Sequence, residues 1–158
     1  MTRGFAVVAL DRVKNDINLG SAMRAAGAFG AAMVVASGRR LRPGCTDTER
    51  AHRHMPLVRV DHVLSALPFD CIPVVVERHP RATPLESFRH PERAYYIFGP
   101  EDGFVLSEVL ERCPLLVSID AGSLNLAAAV NVVLYDRSLK SKWCLGGGSI
   151  RRLREEAA

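Results

Sequence analysis

The sequence has no long apolar run, no closely spaced cysteine pair and neither of the common glycine-rich nucleotide fingerprints. No stretch approaches the ~20 apolar residues that a bilayer span needs. The opening "MTRGFAVVALDRVKND" has a short apolar stretch with charges close behind it, unlike a secretory signal. A cytoplasmic protein without a membrane partner is therefore expected. The four cysteines, Cys45, Cys71, Cys113 and Cys144, stand far apart with no C-x-x-C pair, which argues against both a zinc site and a disulfide framework. No G-x-G-x-x-G follows the first apolar run and no G-x-x-x-x-G-K-[ST] occurs anywhere, so nicotinamide and nucleoside-triphosphate chemistry lose their main support. The pairs His52/His54 and His62/His79 lack a nearby carboxylate at ligand spacing, and no metal is assigned.

What is present is enough for one domain: 158 residues with 48% hydrophobic side chains. The runs "FAVVAL", "AMVVAS", "LVRV", "CIPVVVE", "YYIF" and "LLVSI" are strand candidates, separated by amphipathic or small-residue segments. Runs that are apolar throughout belong to strands covered on both faces, the mark of an α/β domain with a parallel sheet. Three helices matter. The first spans roughly Leu19 to Phe29, with Asn15 or Asp16 as its cap; the second lies near Ser107 to Cys113, with Ser107 as its cap; the third starts near Leu124 and is apolar around most of its circumference until a basic end. Residues 146–158, "GGGSIRRLREEAA", follow as an expected flexible tail, leaving 1–145 as the domain.

In an open α/β sheet, ligands bind beyond the strand C-termini. There the run Tyr95 to Phe98 breaks off at Gly99-Pro100, and Glu101 and Asp102 follow. A solvated acidic turn is the ordinary explanation. "NLGSAMR" sets Gly20 one helical turn before Arg24, open to an anion or ribose, or else forming a small-residue helix packed on the sheet with Arg24 in an ion pair. "GSLN" puts Ser123 and Asn125 before the third helix. Capping is the default for Ser123, while a buried Asn125 amide must find up to four hydrogen bonds. The net charge of +4 is modest, but arginines cluster after strand candidates: Arg39, Arg40 and Arg42, then Arg50 and Arg53 with His52 and His54, then Arg78 and Arg81 with His79. Such clusters suit a phosphate backbone or form solvated loops.

In order along the chain, N-x-G-x-x-x-R (Asn18, Gly20, Arg24), F-G-x-E with a following glycine (Phe98, Gly99, Glu101, Gly103) and S-L-N (Ser123, Leu124, Asn125) resemble the three signature motifs of the SpoU/TrmH branch of the SPOUT RNA methyltransferases. The absence of an added domain resembles the short stand-alone, TrmL-like members. The resemblance implies a dimeric, Rossmann-like parallel-sheet domain with a C-terminal trefoil knot. It implies S-adenosylmethionine as cofactor, bound by backbone around Gly99, Ile119 and Leu124, with Val76 at the preceding strand end as a neighbour. The reaction implied is 2′-O-ribose methylation of RNA, with tRNA favoured over rRNA. A knotted RNA-binding protein without catalysis is the alternative from another class. On this reading Arg24 is the catalytic cation, Ser123 and Asn125 position the ribose or the arginine, and Glu101 orients Asn18 or Arg24. Arg39, Arg40 and Arg42 contact RNA. Two features depart from the family pattern: Ala127 and Ala128 stand where a second serine is frequent, and Phe104-Val105 stands where Gly-Leu is common.

Overall fold

The structure, a computed structural model, describes residues 4–44 and 46–141. The tail expected over 146–158 lies outside the described residues. All six strand candidates form strands: β1 (Phe5–Val13), β2 (Met33–Gly38), β3 (Leu57–Val60), β4 (Ile72–Val76), β6 (Arg93–Phe98) and β7 (Leu115–Ser118). A further strand, β5 (Thr83–Pro84), pairs with β7 and is too short to leave a pattern in the sequence. The seven strands run parallel in the order β3-β2-β1-β6-β4-β7-β5. After β4 the chain runs out to the edge strand β5, returns to the middle of the sheet as β6 and then crosses out again to β7, which lies between β4 and β5. This order accords with the C-terminal knot that the resemblance implies.

The unbroken apolar runs have the cause assigned to them. Ala6, Val8 and Leu10 of β1 face one core with α1 (Asp16–Ala28) and α3 (Leu126–Lys140), while Val7 and Ala9 face a second core with Val63, Val105 and Val109. The last of these lies on the short helix α2 (Ser107–Arg112). Because every strand is parallel, the C-terminal ends of β1, β2, β4, β6 and β7 share one edge, and Asn18, Gly99, Glu101, Ser123 and Asn125 of the motifs gather there.

Helix boundaries differ from the sequence expectations in ways that capping explains. Helix α1 starts at Asp16, not near Leu19, because the Asn15 side chain accepts from the Ile17 N–H at 2.7 Å. Helix α3 starts at Leu126 with Asn125 as its cap, not Ser123. In α2, Leu106 occupies the cap position without a side-chain bond and Ser107 is already helical. Nor is α3 buried all round: Leu126, Val130, Val133 and Leu134 are buried, whereas Tyr135 and Leu139 are 54% and 64% exposed.

At the opposite edge of the sheet, α3 is fastened by Arg137, whose side chain is fully buried. Its guanidinium donates to the carbonyls of Pro91 (2.5 Å) and Glu92 (2.7 Å) and to the Tyr96 hydroxyl (3.1 Å). The His90 ring bridges the Tyr96 hydroxyl at 2.7 Å and the Asp136 carboxylate at 2.8 Å. Burial holds His90 below the ordinary histidine value, against the opposing pull of Asp136. Burial also pushes the Tyr96 phenol up to about 12.

Candidate active site

Glu101 is the hub where β1, α1 and the loop after β6 meet. Its carboxylate accepts from the backbone N–H groups of Lys14 (3.1 Å) and Asn15 (3.2 Å) and from Asn18 Nδ2 (2.9 Å). These are charge-assisted bonds beside the positive end of α1. Asn18, itself buried, then accepts on Oδ1 from Asn125 Nδ2 at 2.8 Å. Asn125 Oδ1 accepts from the N–H groups of Ala127 (2.9 Å) and Ala128 (3.3 Å) at the start of α3. Each amide therefore has a single orientation that satisfies all its partners, and one relay joins Asn18, Glu101 and Asn125 from the three motifs. Beside it the Lys14 ammonium pairs with Asp102 at 2.7 Å, which holds that exposed carboxyl below its usual range.

Next to the relay lies a cleft of about 270 Å³. Its walls come from the end of β4 (Val76, Glu77), the loop Phe98 to Phe104, and Ile119 with the Gly122–Leu124 turn. Val76, Gly99, Ile119 and Leu124, the residues expected to hold a cofactor, all line it, as do Glu101 and Ser123. A Cβ on Gly99 would sit 3.2 Å from the backbone nitrogen of Val105, so a side chain there would displace the loop; among the described residues a Cβ on Gly122 would meet nothing within 4 Å, leaving that backbone open. Asn18, Asn125 and Arg24 lie outside the lining.

Arg24 is exposed on α1. Among the described residues its guanidinium makes no hydrogen bond or ion pair, so the ion pair weighed as the ordinary explanation is not present, nor is a contact with Glu101. Gly20 does not open space around Arg24. A Cβ there would come 2.5 Å from Thr46 Oγ1, because Gly44, Thr46 and Asp47 pack on that face and Thr46 donates to the Ile17 carbonyl at 2.8 Å. Arg39, Arg40 and Arg42 are exposed on the loop that leaves β2. The Arg42 N–H donates to Asp16 at 3.1 Å, which holds this loop against the start of α1.

Two participants carried no motif. Glu77 follows β4; its carboxylate accepts from the N–H groups of Arg78 (3.0 Å) and Val105 (3.3 Å), fixing the cleft wall. A charge straight after "IPVVV" was the only signal. Arg12 interrupts the β1–β2 register in the left-handed region at φ 51° and donates to the Phe104 carbonyl at 2.6 Å. The Gly38 backbone beside it, at φ 93°, makes room: a Cβ there would lie 2.9 Å from Arg12 Cα.

Residues 6–135 match the model of the SpoU rRNA Methylase family. The chain is 30% identical over 152 residues to an uncharacterized tRNA/rRNA methyltransferase of Archaeoglobus fulgidus, covering 87% of this chain and 66% of that one. It superimposes with a TM-score of 0.73 on an AdoMet-bound rRNA methyltransferase from Sinorhizobium meliloti, at 25% identity over 87% of this chain and 57% of that one. A third similarity, with TM-score 0.71 and 25% identity, is to a structure described as giving insights into the 2-OH methylation of C/U34 on tRNA, and it covers 89% of this chain and 92% of that one. The chain thus spans less than two thirds of the length of the first two relatives.

Proposed function

Because the chain belongs to the SpoU rRNA methylase family, we propose that it is an S-adenosylmethionine-dependent RNA methyltransferase that modifies a ribose 2′-oxygen, with tRNA as its substrate. The observation that carries the reading is the relay from Glu101 through Asn18 to Asn125, set against a cleft at the C-terminal edge of a parallel sheet. The tRNA preference is supported by the protein linked to C/U34 methylation, of which this chain covers 92%, against 57% of the rRNA enzyme.

The cleft fits the cofactor. Half-buried Val76 and Ile119 offer apolar surface to an adenosine, and the open Gly122 backbone lets a flat group approach. Bound there, S-adenosylmethionine supplies an activated methyl group on a sulfonium. The protein's part is to align the ribose oxygen behind that methyl and to stabilise the oxygen as it loses its proton. Arg24 is the group for this task. A guanidinium does not give up its proton at physiological pH, so it acts as a cation beside the developing oxyanion and not as a base. Ser123 offers an exposed hydroxyl in the cleft to position the ribose. Asn125, with both amide ends engaged, positions Asn18 and the start of α3.

Arg24 does not line its own protomer's cleft, and α3 leaves Tyr135 and Leu139 uncovered. Both facts favour a homodimer in which Arg24 serves a site shared between protomers, in keeping with the commonest closed symmetry. The test is mass mapping of 2′-O-methylated nucleotides in RNA from cells with and without the protein, alongside cofactor titration and sedimentation of the purified chain. A dimer that binds S-adenosylmethionine and a mark lost from tRNA are expected. A mark lost only from rRNA refutes the tRNA assignment. A folded chain with no cofactor affinity refutes the enzyme in favour of a pure RNA binder.

Arg39, Arg40 and Arg42 are proposed as phosphate contacts, being exposed together on the strap against α1. Neutralising phosphates releases counterions, so RNA affinity falls steeply with salt. The Arg39/Arg40/Arg42 triple-alanine variant is expected to show a salt slope shallower by roughly 2 to 3, at roughly 0.7 to 0.9 per lost contact. Equal slopes in the two proteins would mean that these arginines are only solvated.

A further inference from the structure

We propose that Phe104 is a stacking platform for a nucleobase of the RNA substrate, held ready by Arg12. The inference rests on the RNA methyltransferase reading and extends it to a residue outside the three motifs.

Phe104 lines the mouth of the cleft and is 71% exposed. An aromatic ring left in solvent on a loose loop would mean little, but this loop is fastened on both sides of the ring. The Phe104 carbonyl accepts from Arg12 at 2.6 Å, the next residue, Val105, is buried with its N–H on Glu77, and Asp102 is paired with Lys14. Arg12 is itself fixed by its neighbours. Its N–H donates to Ser37 Oγ at 2.8 Å and its Nε to buried Asp11 at 3.1 Å, while the Ser37 hydroxyl donates to the other Asp11 oxygen at 3.2 Å. The backbone beneath the phenyl ring is thus set before any ligand arrives, which lowers the ordering cost of binding.

The surroundings select the ligand. Arg78 lines the same cleft, and the arginine loop after β2 leaves the same sheet edge. The acids of the cleft are already engaged, Glu77 and Glu101 by N–H groups and Asp102 by Lys14, so a bare aromatic beside Arg12 and Arg78 suits a flat base with an attached phosphate. Unstacked bases of single-stranded RNA segments are recognised in this way. The adenine of the cofactor is the other flat ring in reach. The half-buried apolar surface of Val76 and Ile119 suits that ring, and the solvent-facing Phe104 is left to the RNA.

The test is transfer of a labelled methyl group from S-adenosylmethionine to bulk tRNA and, separately, to ribosomal RNA from cells lacking the protein. It compares wild type with Phe104→Ala, Phe104→Leu, Phe104→Tyr and Arg12→Met. On the accepting RNA, the Ala and Leu variants are expected to raise KM about tenfold with kcat little changed. The Tyr variant keeps the wild-type KM, and Arg12→Met gives an intermediate increase. Cofactor affinity stays level throughout. A Leu variant as good as wild type, or an unchanged KM in Phe104→Ala, overturns the stack while an active wild type leaves the enzyme reading intact. A parallel loss of cofactor affinity assigns the ring to the cofactor's adenine and overturns the inference. A wild type that methylates neither RNA overturns both the enzyme reading and the stack.

Discussion

Arg24→Ala is expected to lower methyl transfer by about 10²- to 10³-fold, the usual cost of removing one donor that stabilises developing charge, while S-adenosylmethionine affinity stays within about twofold of wild type. The two effects separate because of where the residue stands. Arg24 is exposed on α1, makes no ion pair among the described residues and lies outside the cleft lining. Removing it leaves no buried group without a partner, so the fold should not pay. Single-turnover transfer and calorimetric cofactor titration on the same protein read both quantities, and wild-type turnover in the variant would remove Arg24 from the mechanism. Arg24→Lys should recover little, since an ammonium keeps the charge but not the planar fork. A mixed dimer of Arg24→Ala and Gly99→Leu protomers discriminates further. A site shared between protomers regains part of the activity that each variant lacks alone, whereas self-contained sites regain none.

Arg137→Ala is expected to destabilise the fold by about 3 kcal/mol, because removing one member of a buried polar network leaves its partners without compensation. The guanidinium, itself fully buried, satisfies the carbonyls of Pro91 and Glu92 and the buried Tyr96 hydroxyl. For a chain of this length the loss corresponds to a fall in melting temperature on the order of 10 °C. Thermal unfolding at pH 8, where His90 is neutral, isolates the effect from histidine protonation. A shift of only about a degree would show that water enters and serves the same carbonyls. His90 itself favours the fold at that pH. Its value is depressed in the folded state, so its contribution is present above the ordinary histidine range and is lost as pH falls through the lowered one.

The parts of the fold that a sequence spells out are those fixed by local pattern. "FAVVAL" and "YYIF" declare themselves as strands because both faces are apolar and both are covered. The pair Thr83–Pro84 carries no such pattern, since its pairing is decided by β7 and not by its own residues. Asn15 and Asn125 were visible as polar residues ahead of helices, but which of several candidates caps is settled by where the neighbouring chain leaves the N–H groups. In the sequence Glu101 is visible as an acid at a strand end. Its bond to Asn18, and the bond from Asn18 to Asn125, span 83 and 107 residues and have no local signature. Arg137 illustrates the same limit from the other direction. In the sequence it belongs to the basic end of a helix, yet tertiary packing makes it the largest fully buried side chain among the described residues.

The bond from Asn125 to Asn18 also bears on synthesis. A ribosome delivers Asn18 first and must polymerise 107 further residues before its partner exists. Until then the amide at the head of α1 has only half of its final support. The middle of the sheet is likewise incomplete, since β6 must slot in beside β1, which was made some 88 residues earlier by the Phe5–Arg93 pairing. Long-range pairing of this kind is slow, because chain entropy is lost before contacts repay it. A nascent chain therefore leaves one edge of β1 unpaired for most of its translation, and the relay from Glu101 to Asn125 can be completed only when α3 has been made and meets α1.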